Sequence, residues 1–288
     1  MNLFDQPSFQ SIFIEAYFGD TRLSTASGFV VGPPTGSPML ITNWHVVAGR
    51  HIETRKPLHS SAGVPDRLAI THNARGNLGK WTVKIEPLYT GEHPRWLEHP
   101  AHGSKVDVVG VPLTDLDGVD LFSYSYSGAS GRDVAELPKP MKWGPSDFVN
   151  IIGFPFGWTG GGALGIWVQG AVATEPQLEY NGLPRFLIDS RTREGQSGSP
   201  VVIYKRNGWI TLEDGRPYMI HNTLTHLVGV YSGRLNKDSD LGTVWNASTV
   251  EEIALRGRPG VLPEPKKIVR TLAKAVKQVV EVDGLGRP

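Results

Sequence analysis

Apolar residues in this chain come in short runs punctuated by glycine, proline and small polar residues. Ser11-Ile12-Phe13-Ile14-Glu15-Ala16-Tyr17-Phe18 predicts a first strand, which Gly19-Asp20 turns back. Ser24 to Val31 predicts a second strand, Gly32 to Pro38 a loop, and Met39 to Thr42 a third strand. Residues 50–80 are polar and irregular and are expected to form long loops. Trp81 to Leu88 alternates as a half-buried strand does, and Gly91 to Pro100 reads as another loop. Val108-Val109-Gly110-Val111 is an apolar strand. Residues 123–146 turn small, polar and proline-rich, as a connection between two units would. Strands resume at Phe148 to Gly153, Ile166 to Thr174, Arg185 to Ser190 and Val201 to Tyr204. Ser248-Thr249-Val250-Glu251 predicts a helix start of the capping-box type. After a Pro/Gly linker from Gly257 to Pro265, Ile268, Leu272, Ala275, Val276 and Val279 recur at helical spacing, with Lys267, Arg270, Lys274 and Lys277 opposite. That helix either docks on the body or stays solvated, or serves self-association or a regulatory partner.

Composition agrees with a meander of short strands. The 34 glycines and 22 prolines in 288 residues imply many turns, and 39% apolar residues suffice for a core. A net charge of +1 gives no reason to expect a nucleic-acid or membrane partner. Without cysteine there is no disulfide framework, thiol nucleophile or zinc-thiolate site. Residues 1–7 lack a basic, apolar leader and no stretch approaches the roughly 18 apolar residues of a membrane span, so a cytoplasmic location is expected, with secretion still open. The nine histidines form no pair in a metal-ligand frame, and neither metal nor cofactor is expected.

Three stretches carry the candidate chemistry. In Arg193-Glu194-Gly195-Gln196-Ser197-Gly198-Ser199-Pro200, a serine lies between glycines ahead of a buried strand. Such a turn can aim the Ser197 hydroxyl outward and gather the N–H groups of Gly195 and Ser197 around a developing oxyanion. His45 follows the strand Met39 to Thr42 and opens a small-residue turn. Asp107 heads an apolar strand, where a buried carboxylate needs a partner such as an imidazole N–H. Asp115, Asp117 and Asp120 fall in a turn with an Asp-Gly signal and are expected to be solvated. The chain order His, Asp, Ser is that of the chymotrypsin template among triads.

With Ser27-Gly28-Phe29-Val30-Val31, Thr42-Asn43-Trp44-His45-Val46-Val47, Val106-Asp107-Val108-Val109, Ile152-Gly153-Phe154-Pro155-Phe156-Gly157, Gly195-Gln196-Ser197-Gly198-Ser199-Pro200 and Gly229-Val230-Tyr231-Ser232-Gly233, the chain resembles the trypsin-like (chymotrypsin-fold) serine proteases, in the bacterial style of the HtrA protease domain. The resemblance implies an all-β fold of two six-stranded Greek-key barrels with the active site in the cleft between them, and short C-terminal helices. Residues 8–125 would form the first barrel with His45 and Asp107. Residues 145–256 would form the second, with the nucleophile Ser197, the oxyanion hole of Gly195 and Ser197, and the specificity pocket. Residues 257–288 would be the linker and amphipathic helix. Ser190, Arg191 and Thr192 would line the pocket for the side chain before the scissile bond, and Val230, Tyr231 and Ser232 would pair with an extended protein or peptide substrate. An inward Arg191 would favour an acidic side chain. The cost of burying an unpaired guanidinium favours an outward one.

The expected activity is that of a serine endopeptidase acting through an acyl-enzyme. Alternatives are an esterase with the same triad, or a catalytically silent protease fold used as a binding or sensor module. Gln196 stands where animal members of the family carry aspartate, which argues for activation by loop ordering or by a partner rather than by a processed N-terminus. The glycine-rich Trp158 to Gly165 is either a flexible loop beside the cleft or a long hairpin.

Overall fold

The computed structural model describes residues 4–33, 35–126, 137–236 and 238–262. Its strands are β1 (Ser11–Phe18), β2 (Thr21–Gly32), β3 (Met39–Thr42), β4 (Arg67–Ala74), β5 (Trp81–Pro87), β6 (Tyr89–Thr90), β7 (His93–Pro94), β8 (Leu97–Glu98), β9 (Val109–Pro112), β10 (Val119–Asp120), β11 (Tyr124–Ser125), β12 (Phe148–Gly153), β13 (Ile166–Val172), β14 (Arg185–Asp189), β15 (Pro200–Lys205), β16 (Gly208–Thr211), β17 (Pro217–Ile220), β18 (Leu224–Arg234), β19 (Leu241–Asn246) and β20 (Arg258–Pro259). The helices are α1 (Gln6–Gln10), α2 (Trp44–Ala48) and α3 (Ala247–Arg256). The all-β class is as expected, with two β halves and a short helix near the C-terminal end of the described chain.

In the first half, a ten-stranded sheet runs β10-β4-β1-β2-β3-β9-β8-β20, with β5 paired to β4 and β11 to β2. It wraps a core that includes Ile14, Leu40, Val47, Leu68, Ile70 and Trp96, all fully buried or nearly so. The second half is a closed barrel, β12-β13-β14-β19-β18-β15. Val149, Ile151, Phe186, Ile188, Val201 and Val244 fill it. A third apolar cluster unites Phe29, Ile41 and Val108 of the first half with Ile152, Val202 and Val230 of the second and Ile253 of α3. Burial on this scale, at about 25 cal/mol per Å² of apolar area, sets the two halves against each other and fixes the cleft between them.

Both ends of the described chain cross to the opposite half. At the N-terminal end, the Ser8 carbonyl accepts from the Gly165 amide at 2.9 Å and the Ser8 hydroxyl from the Trp167 indole at 2.9 Å. Asp5 pairs with Arg206 at 3.0 Å. At the C-terminal end, β20 pairs with β8, and the Val261 amide donates to Glu98 Oε1 at 3.1 Å.

Three expectations need correction. Residues 50–80 are not all loop, because β4 lies within the first sheet between β1 and β10. Its polar residues hide it: His72 and Asn73 are buried, and Asn73 Nδ2 donates to the Phe9 carbonyl at 3.0 Å. The loop from Gly91 to Pro100 contains β7, β8 and the fully buried Trp96. The helix near residue 248 starts at Ala247 after Asn246 and carries no side-chain cap, so the Ser248–Glu251 box does not form. The amphipathic helix expected beyond residue 265 lies outside the described residues, as does part of the expected connection between the halves.

Candidate functional site

β3 ends at Thr42, and Asn43 leads into the short helix α2 that carries His45. The Asn43 side chain does not cap that helix. It reaches across and donates to the Asp107 carbonyl at 2.6 Å. Asp107 therefore arrives beside His45, just ahead of β9. Its Oδ1 accepts the His45 backbone amide at 2.9 Å, and its Oδ2 accepts His45 Nδ1–H at 2.7 Å. Ser232 Oγ donates to the same Oδ2 at 2.5 Å. The carboxylate side chain is 1% exposed and the imidazole 19%, so the acid is sealed while the ring reaches the surface. A carboxylate acceptor at Nδ1 puts the proton there and leaves Nε2 as the basic nitrogen. Trp44 anchors the helix from beneath, its indole donating to Glu98 Oε1 at 3.2 Å.

The serine loop is set by close approaches that exclude side chains. Gly195 has φ +89°, and a Cβ there would lie 2.3 Å from the Phe154 carbonyl oxygen. Gly198 has φ +86°, and a Cβ there would lie 2.1 Å from the Ser27 carbonyl oxygen. Both positions need glycine for conformation and for space. The buried Ser27 hydroxyl accepts from the Phe154 amide at 3.0 Å and donates to the Gly195 carbonyl at 2.8 Å. The Ser27 amide donates to the Ser197 carbonyl at 2.8 Å. One residue of β2 thus ties the loop to the corner at 154–157. Gln196, fully buried, accepts the Arg193 amide at 2.8 Å through Oε1 and so organises its own turn. Among the described residues, the amides of Gly195 and Ser197 donate no hydrogen bond.

His45, Gly195 and Ser197 line one cleft of about 510 Å³, together with Leu23, Leu58 and Phe156. A second, of about 380 Å³, also borders His45 and is walled by Asp107, Ser232, Gly233 and Arg234. The Ser197 hydroxyl donates to the Ser232 carbonyl at 2.9 Å, not to the imidazole. Catalytic hydrogen bonds are commonly loose until substrate binds, and a rotation about χ1 redirects a serine hydroxyl. Phe156 is held at φ 55°, ψ 19°, a left-handed conformation costing a bulky residue about 1–2 kcal/mol. Its amide donates to the Glu194 carbonyl at 2.6 Å, which locks the corner to the serine loop.

The structure brings His45, Asp107, Gly195 and Ser197 together and separates several of the other candidates. Ser232 borders the smaller cleft. Arg191 is exposed, in line with the outward expectation. Ser190 and Thr192 are buried, the latter hydrogen-bonded to the Tyr231 hydroxyl. Val230 lies in the apolar cluster between the halves, and the Tyr231 backbone already bonds Ser199 and Gly198. Burial also pushes the Tyr231 hydroxyl up to about 12. Neither Val230 nor Tyr231 is therefore turned toward a substrate, and β18 meets the cleft from Ser232 onward. Sequence reasoning missed Asn43 as a support of Asp107, Ser232 as its third donor, and Phe156 as a cleft wall. All three lie inside the motifs that carry the resemblance, but only tertiary contact reveals what they touch. Among the described residues, no group of three or more His, Asp or Glu is placed to hold a metal ion.

The family described as the trypsin-like peptidase domain matches residues 26–208. No curated protein matches the chain. Among solved structures, the active form of the Rv3671c protease from M. tuberculosis is 15% identical, with 89% of this chain and 85% of that chain covered and a TM-score of 0.46. Its inactive form is 17% identical, with 86% and 87% covered and a TM-score of 0.44. A serine endoprotease from Yersinia pestis is 13% identical, with 84% and 62% covered and a TM-score of 0.45.

Proposed function

Since the chain belongs to the trypsin-like peptidase family, we propose that it is a serine endopeptidase working through Ser197, His45 and Asp107. The observation that carries this is the sealed Asp107 carboxylate, bonded to both the backbone and Nδ1 of a partly exposed His45 in the same cleft as Ser197. On substrate binding, the Ser197 hydroxyl turns from the Ser232 carbonyl toward His45 Nε2. Its oxygen bonds to the peptide carbonyl carbon while Nε2 takes the proton. The oxyanion lies against the amides of Gly195 and Ser197, which have no other acceptor among the described residues. The C–N bond then breaks as Nε2 returns the proton to the leaving amine, and water resolves the acyl-enzyme by the same route. The acyl half of the substrate runs as an extended strand along Ser232 and Gly233, where β18 continues past the end of its pairing with β15 at Val230.

A fluorophosphonate probe tests this directly. It should modify Ser197 in the intact chain and fail with Ser197→Ala or His45→Ala. Absence of labelling in the folded wild type would leave a silent protease-fold binding module as the better account. Labelling with hydrolysis of esters alone would indicate an esterase.

A further inference from the structure

We infer that Phe156 makes this site selective for an apolar side chain on the leaving-group side of the scissile bond. The inference rests on the endopeptidase reading above. Two clefts flank His45, and the acyl half of a substrate follows Ser232 and Gly233 in the smaller one. The half that leaves with the amine then enters the larger, beyond Ser197 and Gly195. Its apolar walls are Leu23, Val46, Leu58, Pro65 and Phe156, while Ser24, Thr25, His59 and Glu194 supply the polar part of the lining.

Phe156 departs from ordinary expectations in two independent ways. Its backbone occupies the left-handed region, which favours glycine or asparagine, and the residue is 53% exposed. A strained backbone holding a large apolar ring in solvent, at the mouth of a cleft, is where a ligand contact is expected. The residue is also held by its neighbours. Its ring meets that of Trp158 at a tilt of 55° with centroids 5.3 Å apart, and the Phe156 amide bonds the Glu194 carbonyl next to Gly195. Leu58, 51% exposed, faces the same cleft from the first half. An apolar side chain entering between them removes both from water and touches the nucleophile loop through its buttress.

The test is a proteome-derived peptide library cleaved by the full chain, with residues on both sides of each cut read by mass spectrometry. Apolar side chains should be enriched at the first or second leaving-side position. The kcat/KM ratio of matched peptides with Leu and Ser at that position should be at least tenfold, which is the scale of apolar pocket discrimination. Phe156→Ala should reduce that ratio several-fold. Phe156→Asn, whose backbone tolerates the left-handed region, should do the same without lowering the thermal midpoint, which separates lost recognition from lost folding. No leaving-side enrichment in a wild type that reacts with the fluorophosphonate, or a ratio unchanged in both variants, overturns the inference and leaves the endopeptidase reading standing. A wild type that does not react removes both.

Discussion

The Asp107 carboxylate receives three donors, which divide two tasks in the proposed chemistry. The His45 amide and Nδ1 fix the ring, whereas Ser232 Oγ fixes the carboxylate itself. Replacing Asp107 by Asn puts an N–H donor where the ring needs an acceptor. By analogy with other triads, kcat should fall about 10⁴-fold, against on the order of 10⁶ for Ser197→Ala. Steady-state hydrolysis of a cleaved library peptide measures both. A D107N loss below tenfold would remove the carboxylate from the mechanism. Of these residues the sequence displays His45, Asp107 and Ser197, because each sits at the junction of an apolar strand and a small-residue turn. It does not display Asn43 or Ser27, whose side chains reach partners distant along the chain. It also misdirects at Val230 and Tyr231: a strand beside a cleft shows its edge only where its neighbour ends, and that end is a property of the folded barrel.

At the level of elements, β2, the corner at 154–157 and the serine loop form one unit through the Ser27 hydroxyl. Gly198→Ala should strain the backbone and drive a methyl into the Ser27 carbonyl, costing on the order of 3 kcal/mol. Urea unfolding measures the loss, and a variant as stable as wild type would mean that the loop relaxes freely. β1, β3 and β12 were legible because their runs are apolar and bounded by turns. β4 was not, because buried imidazole and amide groups interrupt its pattern. The helix near residue 248 was legible in kind but not in its start. Thr249 Oγ1 instead donates to the Asn246 carbonyl at 2.7 Å, inside the first turn.

For the whole molecule, each half encloses an imidazole that resists protonation. His72 in β4 is pushed down to about 4, chiefly by burial, with Lys84 adding to the effect and Asp115 opposing it. Burial alone pushes His226 in β18 down to about 4. In the unfolded chain both titrate near 6.5, so below that pH the unfolded state binds more protons than the folded one. The stability from keeping them neutral is complete above about pH 6.5 and is lost as pH falls toward 4. The loss at pH 5 should be about 2 kcal/mol for each. Urea titrations at pH 7 and pH 5 measure it, and glutamine at either position should remove about half of the difference. Equal stability at both pH values would mean that water reaches the two rings.

The crossing of the two ends of the described chain bears on what happens if the backbone is cut. Asp5 and Ser8 hold the half that contains Ser197, while β20 and Val261 hold the half that contains His45. A single engineered nick between Tyr126 and Leu137 would therefore yield two fragments, each clasping the other by its own tail. They should co-elute on gel filtration and still react with the fluorophosphonate. Two separated, unreactive pieces would show that covalent continuity, not the exchanged tails, keeps the halves in register.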